Sequence, residues 1–167
     1  MEDSRILCAI DFDVPSLAAL DLARDLLRYN NGKLYLLHVV PPAVPHLVAP
    51  LLVELTRHFI RIRLEGVARE SLGEVGYRLL LRTGDPADQI IAAASEIHAK
   101  LVVLALHSHD AVPPVRLGSV AERVIREAPC PVVTISRASD LESVYTRMAG
   151  GSAGSQKPGT TRQSYRP

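Results

Sequence analysis

The stretch Arg5-Ile6-Leu7-Cys8-Ala9-Ile10-Asp11-Phe12-Asp13-Val14-Pro15 decides the fold by the way it divides. Ile6 to Ile10 form an apolar run without polar alternation, the pattern of a short strand buried on both faces. Asp11 ends the run. Asp13 then offers a side-chain acceptor at a helix start, with Pro15 in the first turn, where its missing N–H costs little. Over residues 14–29, Asp21, Arg24, Asp25 and Arg28 recur at helical spacing along one face, and Ala19, Leu22, Ala23 and Leu26 fill the other. Asn30-Asn31-Gly32 stops this helix, and Lys33 to Val40 reads as a second strand.

The same alternation continues. Pro41, Pro42, Pro45 and Pro50 mark a connection that cannot hold regular structure for long. A helix over about 51–72 follows, with Glu54, Arg57, His58, Arg61 and Glu65 expected along its wet side; the arginines 57, 61, 63 and 69 read as a solvated basic face. Gly76 to Arg82 is a third strand. Asp85-Pro86-Ala87-Asp88 is a strong helix start, an N-cap followed by proline and a first-turn carboxylate, and that helix turns Ile90, Ala94 and Ile97 inward. Lys100 to Leu106 is the most strand-like stretch in the chain. A helix over about 118–128 and a last strand over 131–136 complete the pattern. Strands separated by helix-length crossovers cannot pair as tight hairpins, so the expectation is an α/β fold: a five-stranded parallel sheet with helices on both faces, Rossmann-like. Ligands of such sheets sit beyond the carboxyl ends of the strands, at the topological switch point. That directs attention to Asp11, Val39 and the segment from Ala105 to Ser119.

Composition excludes several classes of function. Aromatic residues make up 4% of 167 residues and Trp is absent, which leaves no stacking platform for single-stranded nucleic acid. The formal net charge is +1, but Arg137, Arg147, Lys157, Arg162 and Arg166 outweigh Asp140 and Glu142 in the C-terminal segment, so residues 1–136 are mildly acidic. A basic footprint for DNA or RNA is missing. Nowhere do eighteen apolar residues run together, and no charged n-region precedes a signal-type apolar stretch; no membrane span and a cytoplasmic location are expected. Cys8 and Cys130 have no Cys-x-x-Cys neighbour and read as small buried hydrophobes. Residues 149–167 are rich in Gly, Ser and Pro and cannot repay the entropy of ordering, so residues 138–167 are expected to form a disordered tail behind a domain of residues 1–137.

Five blocks together resemble the universal stress protein family. They are Ile6-Leu7-Cys8-Ala9-Ile10-Asp11-Phe12, Leu36-Leu37-His38-Val39-Val40, Gly84-Asp85-Pro86, Leu117-Gly118-Ser119-Val120-Ala121-Glu122-Arg123-Val124 and Ala128-Pro129-Cys130-Pro131-Val132, in that family's order and spacing across about residues 4–137. The resemblance implies a small regulatory module of the stress response. Members that bind ATP carry Gly-x-x-Gly, nine residues, then Gly-Ser/Thr after the fourth strand. Glycines there let backbone approach ribose and phosphate, and a helix N-terminus offers N–H groups to the anion. In this chain the frame falls on Ala105, Ser108, Gly118 and Ser119, with Val120 following: the spacer and the last pair are kept, and both leading glycines are replaced. Between them, His109-Asp110-Ala111-Val112-Pro113-Pro114 adds a carboxylate that repels phosphate, against which Arg116 and His107 stand in part compensation.

By the same resemblance, Asp11 would meet the ribose and Val39 the adenine. Weak or absent ATP binding is therefore expected, with magnesium only as the companion of nucleotide; the alternative is an adenine-nucleotide binder with its adenosine pocket retained. Read alone, Asp11 also suits a strand end, Val39 a core position, and Gly118-Ser119 an ordinary N-cap. His38 suits a satisfied buried imidazole. His107, His109 and Asp110 lack the further ligands a zinc or copper site needs, so no metal site is assigned. Without a nucleophile elbow, a phosphate-binding lysine loop or paired catalytic carboxylates, the chain is not expected to be an enzyme. The resemblance further implies a homodimer through the last strand, Val132-Val133-Thr134-Ile135, placed at a sheet edge, together with an unidentified protein partner.

Overall fold

The computed structural model describes residues 4–28, 32–42, 50–106, 119–135 and 145–147. Ten elements follow one another: β1 (Ser4–Ala9), α1 (Val14–Arg28), β2 (Gly32–Val40), α2 (Pro50–Leu72), β3 (Tyr77–Thr83), α3 (Pro86–Glu96), β4 (Leu101–Ala105), α4 (Ser119–Glu127), β5 (Val132–Ile135) and β6 (Tyr145–Arg147). The sheet order is β3-β2-β1-β4-β5-β6. Its first five strands are parallel, as the crossover lengths require, in a register that sets Cys8 beside Leu36 and Val103.

Alternation along each strand feeds two cores. Ile6, Cys8 and Ile10 join Leu34, Leu36 and Val103 under α1 and α2, packed by Ala19, Leu20, Ala23, Leu64, Ala68 and Leu72. Leu7, Leu37, Val102 and Leu104 face the other way, against Ala87, Ile90, Ala93 and Ala94 of α3 and Ala121 and Val124 of α4. Both faces are covered, which is why the run from Ile6 to Ile10 carries no polar residue. Cys8 is fully buried and Cys130 buried. Burial pushes both thiols up, Cys8 most strongly, and neither forms a disulfide.

Four expectations need correction. In α1, Leu20 and Leu27 are buried with Ala19 and Ala23, whereas Leu26 is 37% exposed; the inward stripe lies one residue further round than the charges suggested. Arg24 of the expected wet face is half-buried and donates to the Ser71 carbonyl at 3.0 Å, tying α1 to the end of α2. In α2, Arg57 is likewise drawn inward, while Leu51, Leu52, Leu55, Phe59 and Ile62 are left exposed. Finally, residues 145–147, within the segment expected to be disordered, add a sixth strand antiparallel to β5, pairing Val133 with Thr146. The outer edge of β5 is thus taken by the chain itself. Residues 148–167 lie outside the described residues.

Candidate functional site

Strand order reverses between β1 and β4, since the chain runs outward through β2 and β3 and then returns to the far side of β1. The carboxyl ends of these strands splay around a cavity of about 490 Å³, within the range of small-ligand pockets. Its walls are largely apolar: Ile10 just past β1, Val39 from β2, Ile90 from α3, Leu104 and Ala105 from β4. Asp11 stands at the rim, and Ser119, Val120 and Ala121 bring the start of α4 to the other side. Of the residues singled out in the sequence, Asp11, Val39, Ala105, Ser119 and Val120 are brought together around one space. Ser108 and Gly118 lie outside the described residues, as do His107, His109, Asp110 and Arg116.

The Asp11 end is built by a tight turn. Asp13 Oδ1 accepts from the backbone N–H of Ser16 at 2.8 Å, so Asp13 is the N-cap expected of it. Ser16, nearly fully buried, donates through Oγ to the Asp13 carbonyl at 3.0 Å and accepts from the Asp11 N–H at 3.3 Å. Asp11 Oδ1 in turn accepts from the Asp13 N–H at 3.3 Å. The carboxylate is oriented by the turn and remains exposed at the cavity rim. Asp11 thus follows the end of β1 and lines the cavity.

Sequence reasoning passed over Phe12. Its φ is +69°, a left-handed conformation that non-glycine residues adopt at a cost of roughly 1 kcal/mol or more. Besides packing against the core under α1 and α2, the half-buried ring meets His38, with centroids 4.6 Å apart, and the Arg63 guanidinium, 4.4 Å from the ring centre. His38 Nδ1 meets the Ile10 carbonyl at 2.8 Å. A carbonyl only accepts, so Nδ1 carries the proton and the imidazole is satisfied as expected, although half-buried and lining the cavity rather than sealed in the core. No sequence signal marks Phe12, because φ is set by the turn and not by residue type.

On the far side, Asp85 caps α3, accepting from the Asp88 N–H at 3.0 Å, with Pro86 in the first turn. Gly84 before it has φ +144°, a backbone conformation that a side chain would strain. Arg123 of α4 reaches Asp85 at 3.2 Å, Asp88, and Glu127 at 3.4 Å, fastening the two helices whose starts border the cavity. Among the described residues no group of three or more His, Cys, Asp or Glu side chains could hold a metal ion, and no helix is long and apolar enough to cross a membrane.

Comparison with known proteins agrees with this fold. The chain is similar to a universal stress protein of Methanothermobacter thermautotrophicus, 34% identical over 116 residues, which are 65% of this chain and 79% of that relative. The crystal structure of a universal stress family protein from Burkholderia pseudomallei superposes with a TM-score of 0.61 at 32% identity, covering 79% of this chain and 95% of that one. A universal stress protein crystallised in complex with cAMP shares the fold, with a TM-score of 0.62 at 20% identity over 79% of this chain and 96% of that one. The family model described as universal stress protein family matches residues 4–136, the span that contains the five parallel strands and the rim residues around the cavity. The chain belongs to the universal stress protein family.

Proposed function

We propose that this domain is a non-enzymatic regulatory module that holds the adenosine part of an adenine nucleotide and gains little from its outer phosphates. One observation carries the reading: an apolar cavity of about 490 Å³ whose rim presents the Asp11 carboxylate on one side and the start of α4, with Ser119, on the other. Apolar walls such as Val39 and Leu104 suit a heterocycle. A rim carboxylate suits ribose hydroxyls, which can donate to it. The start of α4 offers N–H groups to one phosphate. Ala105 carries a Cβ where the ATP-binding motif has glycine, which supports a shortened phosphate site. That a fold relative was crystallised with cAMP favours a monophosphate-sized ligand.

Titration calorimetry with AMP, adenosine and Mg-ATP tests this. AMP and Mg-ATP are expected to bind within about tenfold of each other, with Asp11→Ala weakening both by about tenfold, the loss of a hydrogen bond to a charged group. A preference for Mg-ATP of a hundredfold or more over AMP overturns the reading, and so does the absence of any adenosine binding.

A further inference from the structure

A surface helix ordinarily has one apolar stripe, facing the core. The helix α2 has two. Val53, Arg57, Ile60, Leu64, Ala68 and Leu72 face the protein, the first three half-buried and the rest buried. Leu55 is two and a half turns from Leu64 and so points the opposite way. Around it lie Leu51, Leu52, Phe59 and Ile62, exposed by 70, 54, 66 and 52%, with Leu55 itself at 44%. Such a row is costly in water and marks an interaction surface. Taking about 150–200 Å² per large side chain, the exposed fractions amount to on the order of 500 Å² per protomer.

The spacing identifies the occupant. Leu52, Leu55, Phe59 and Ile62 alternate steps of three and four, the seam of a two-helix coiled coil rather than of a helix lying on a sheet. The row is also symmetric about Arg57: Leu52 and Ile62 are equally far from it, as are Leu55 and Phe59. A second α2 laid antiparallel therefore opposes Leu52 to Ile62 and Leu55 to Phe59 twice over, which is the self-complementarity a two-fold interface requires. Arg57 is turned away from the seam, donating to Thr83 Oγ1 at 2.6 Å, and Arg63 is engaged by Phe12, so neither puts a charge between the helices. Past Ile62 the row ends at Gly66, around whose outward side there is open space. Two such rows bury about 1,000 Å², the lower bound of a specific interface.

We infer that α2 is a homodimer interface, pairing with the α2 of a second copy in antiparallel register centred on Arg57. Light scattering of the full chain at tens of micromolar is expected to give the dimer mass, and Leu55→Glu/Phe59→Glu the monomer mass. The far-ultraviolet circular dichroism and melting temperature of a monomer should persist, because neither side chain enters the core. In Leu55→Cys/Phe59→Cys, mild oxidation should yield a covalent dimer, Cys8 and Cys130 being buried. A monomeric wild type overturns the inference. So does a glutamate variant that stays dimeric, which moves the interface to β5 or elsewhere. Failure of the cysteine pair to cross-link overturns the antiparallel register. If the wild type is monomeric and the glutamate variant melts several degrees lower, a segment of the chain itself covers the row.

Discussion

At Phe12 the chain holds an L-residue in a left-handed turn beside the cavity, and core packing together with two weak contacts opposes that strain. A cation over an exposed ring contributes about 0.5–1 kcal/mol. Arg63→Met should therefore lower the melting temperature by roughly 2–4 °C. Phe12→Ala keeps the strained φ and loses both contacts, so it should cost more than Arg63→Met; in the background of Phe12→Ala the Arg63 substitution should cost almost nothing. Equal, additive losses in a thermal-melt cycle would show that the ring and the guanidinium do not cooperate. Asp11, Asp13 and Pro15 were legible in the sequence because capping depends on residue type at fixed offsets. Phe12 was not, because nothing in a phenylalanine announces positive φ. The two positions of the phosphate motif outside the described residues, Ser108 and Gly118, add nothing to this comparison.

At the scale of elements, every helix and parallel strand was legible to within one or two residues from punctuation and periodicity. The faces were harder. A charge pattern shows which side of a helix tolerates water, but not which side finds a neighbour. In α2 the polar flank of Glu54, His58 and Arg61 was readable, yet Leu51, Phe59 and Ile62 are exposed as well, since two apolar rows on one helix cannot be ranked without the fold. Ion pairs between elements were equally hidden. Arg82 of β3 donates to both carboxylate oxygens of Glu96 at the end of α3, one at 3.1 Å, and this hydrogen bonding holds the Glu96 carboxyl below the ordinary glutamate range. A carboxyl lowered on folding stabilises above its unfolded value and loses that contribution as pH falls through the folded one. Glu96→Gln should then melt slightly below wild type at pH 7, by no more than about 2 °C for an exposed pair. The gap should close in acid; a gap that widens on acidification contradicts the assigned cause.

For the molecule as a whole, the parallel direction of five strands followed from crossover lengths, and a site beyond their carboxyl ends from the general rule for such sheets; the strand order itself needed the fold. Nor was the sixth strand legible, because Tyr145–Arg147 sits in a segment with neither apolar periodicity nor turn signals strong enough to announce a return. It matters for assembly. A partner reaching the outer edge of β5 must first displace β6, so truncation after residue 148 should leave stability and association unchanged, whereas truncation after residue 137 should expose the edge, lower the melting temperature and raise the associated mass on light scattering. Identical behaviour of the two truncations would show that β6 contributes nothing.

Placing the first strand of the chain in the middle of the sheet also fixes an order of events. As synthesis proceeds, β1 can gain β2 and then β3 on one side, but the other side waits for β4, whose first pairing is Leu101 with Ile6. Until then Leu7 and Cys8, completely buried at the end, lie along an open edge. Pairings this distant make folding slow and leave the nascent chain prone to misassociation during that interval. The half-made sheet, not the finished protein, is the form of this chain that most needs a chaperone.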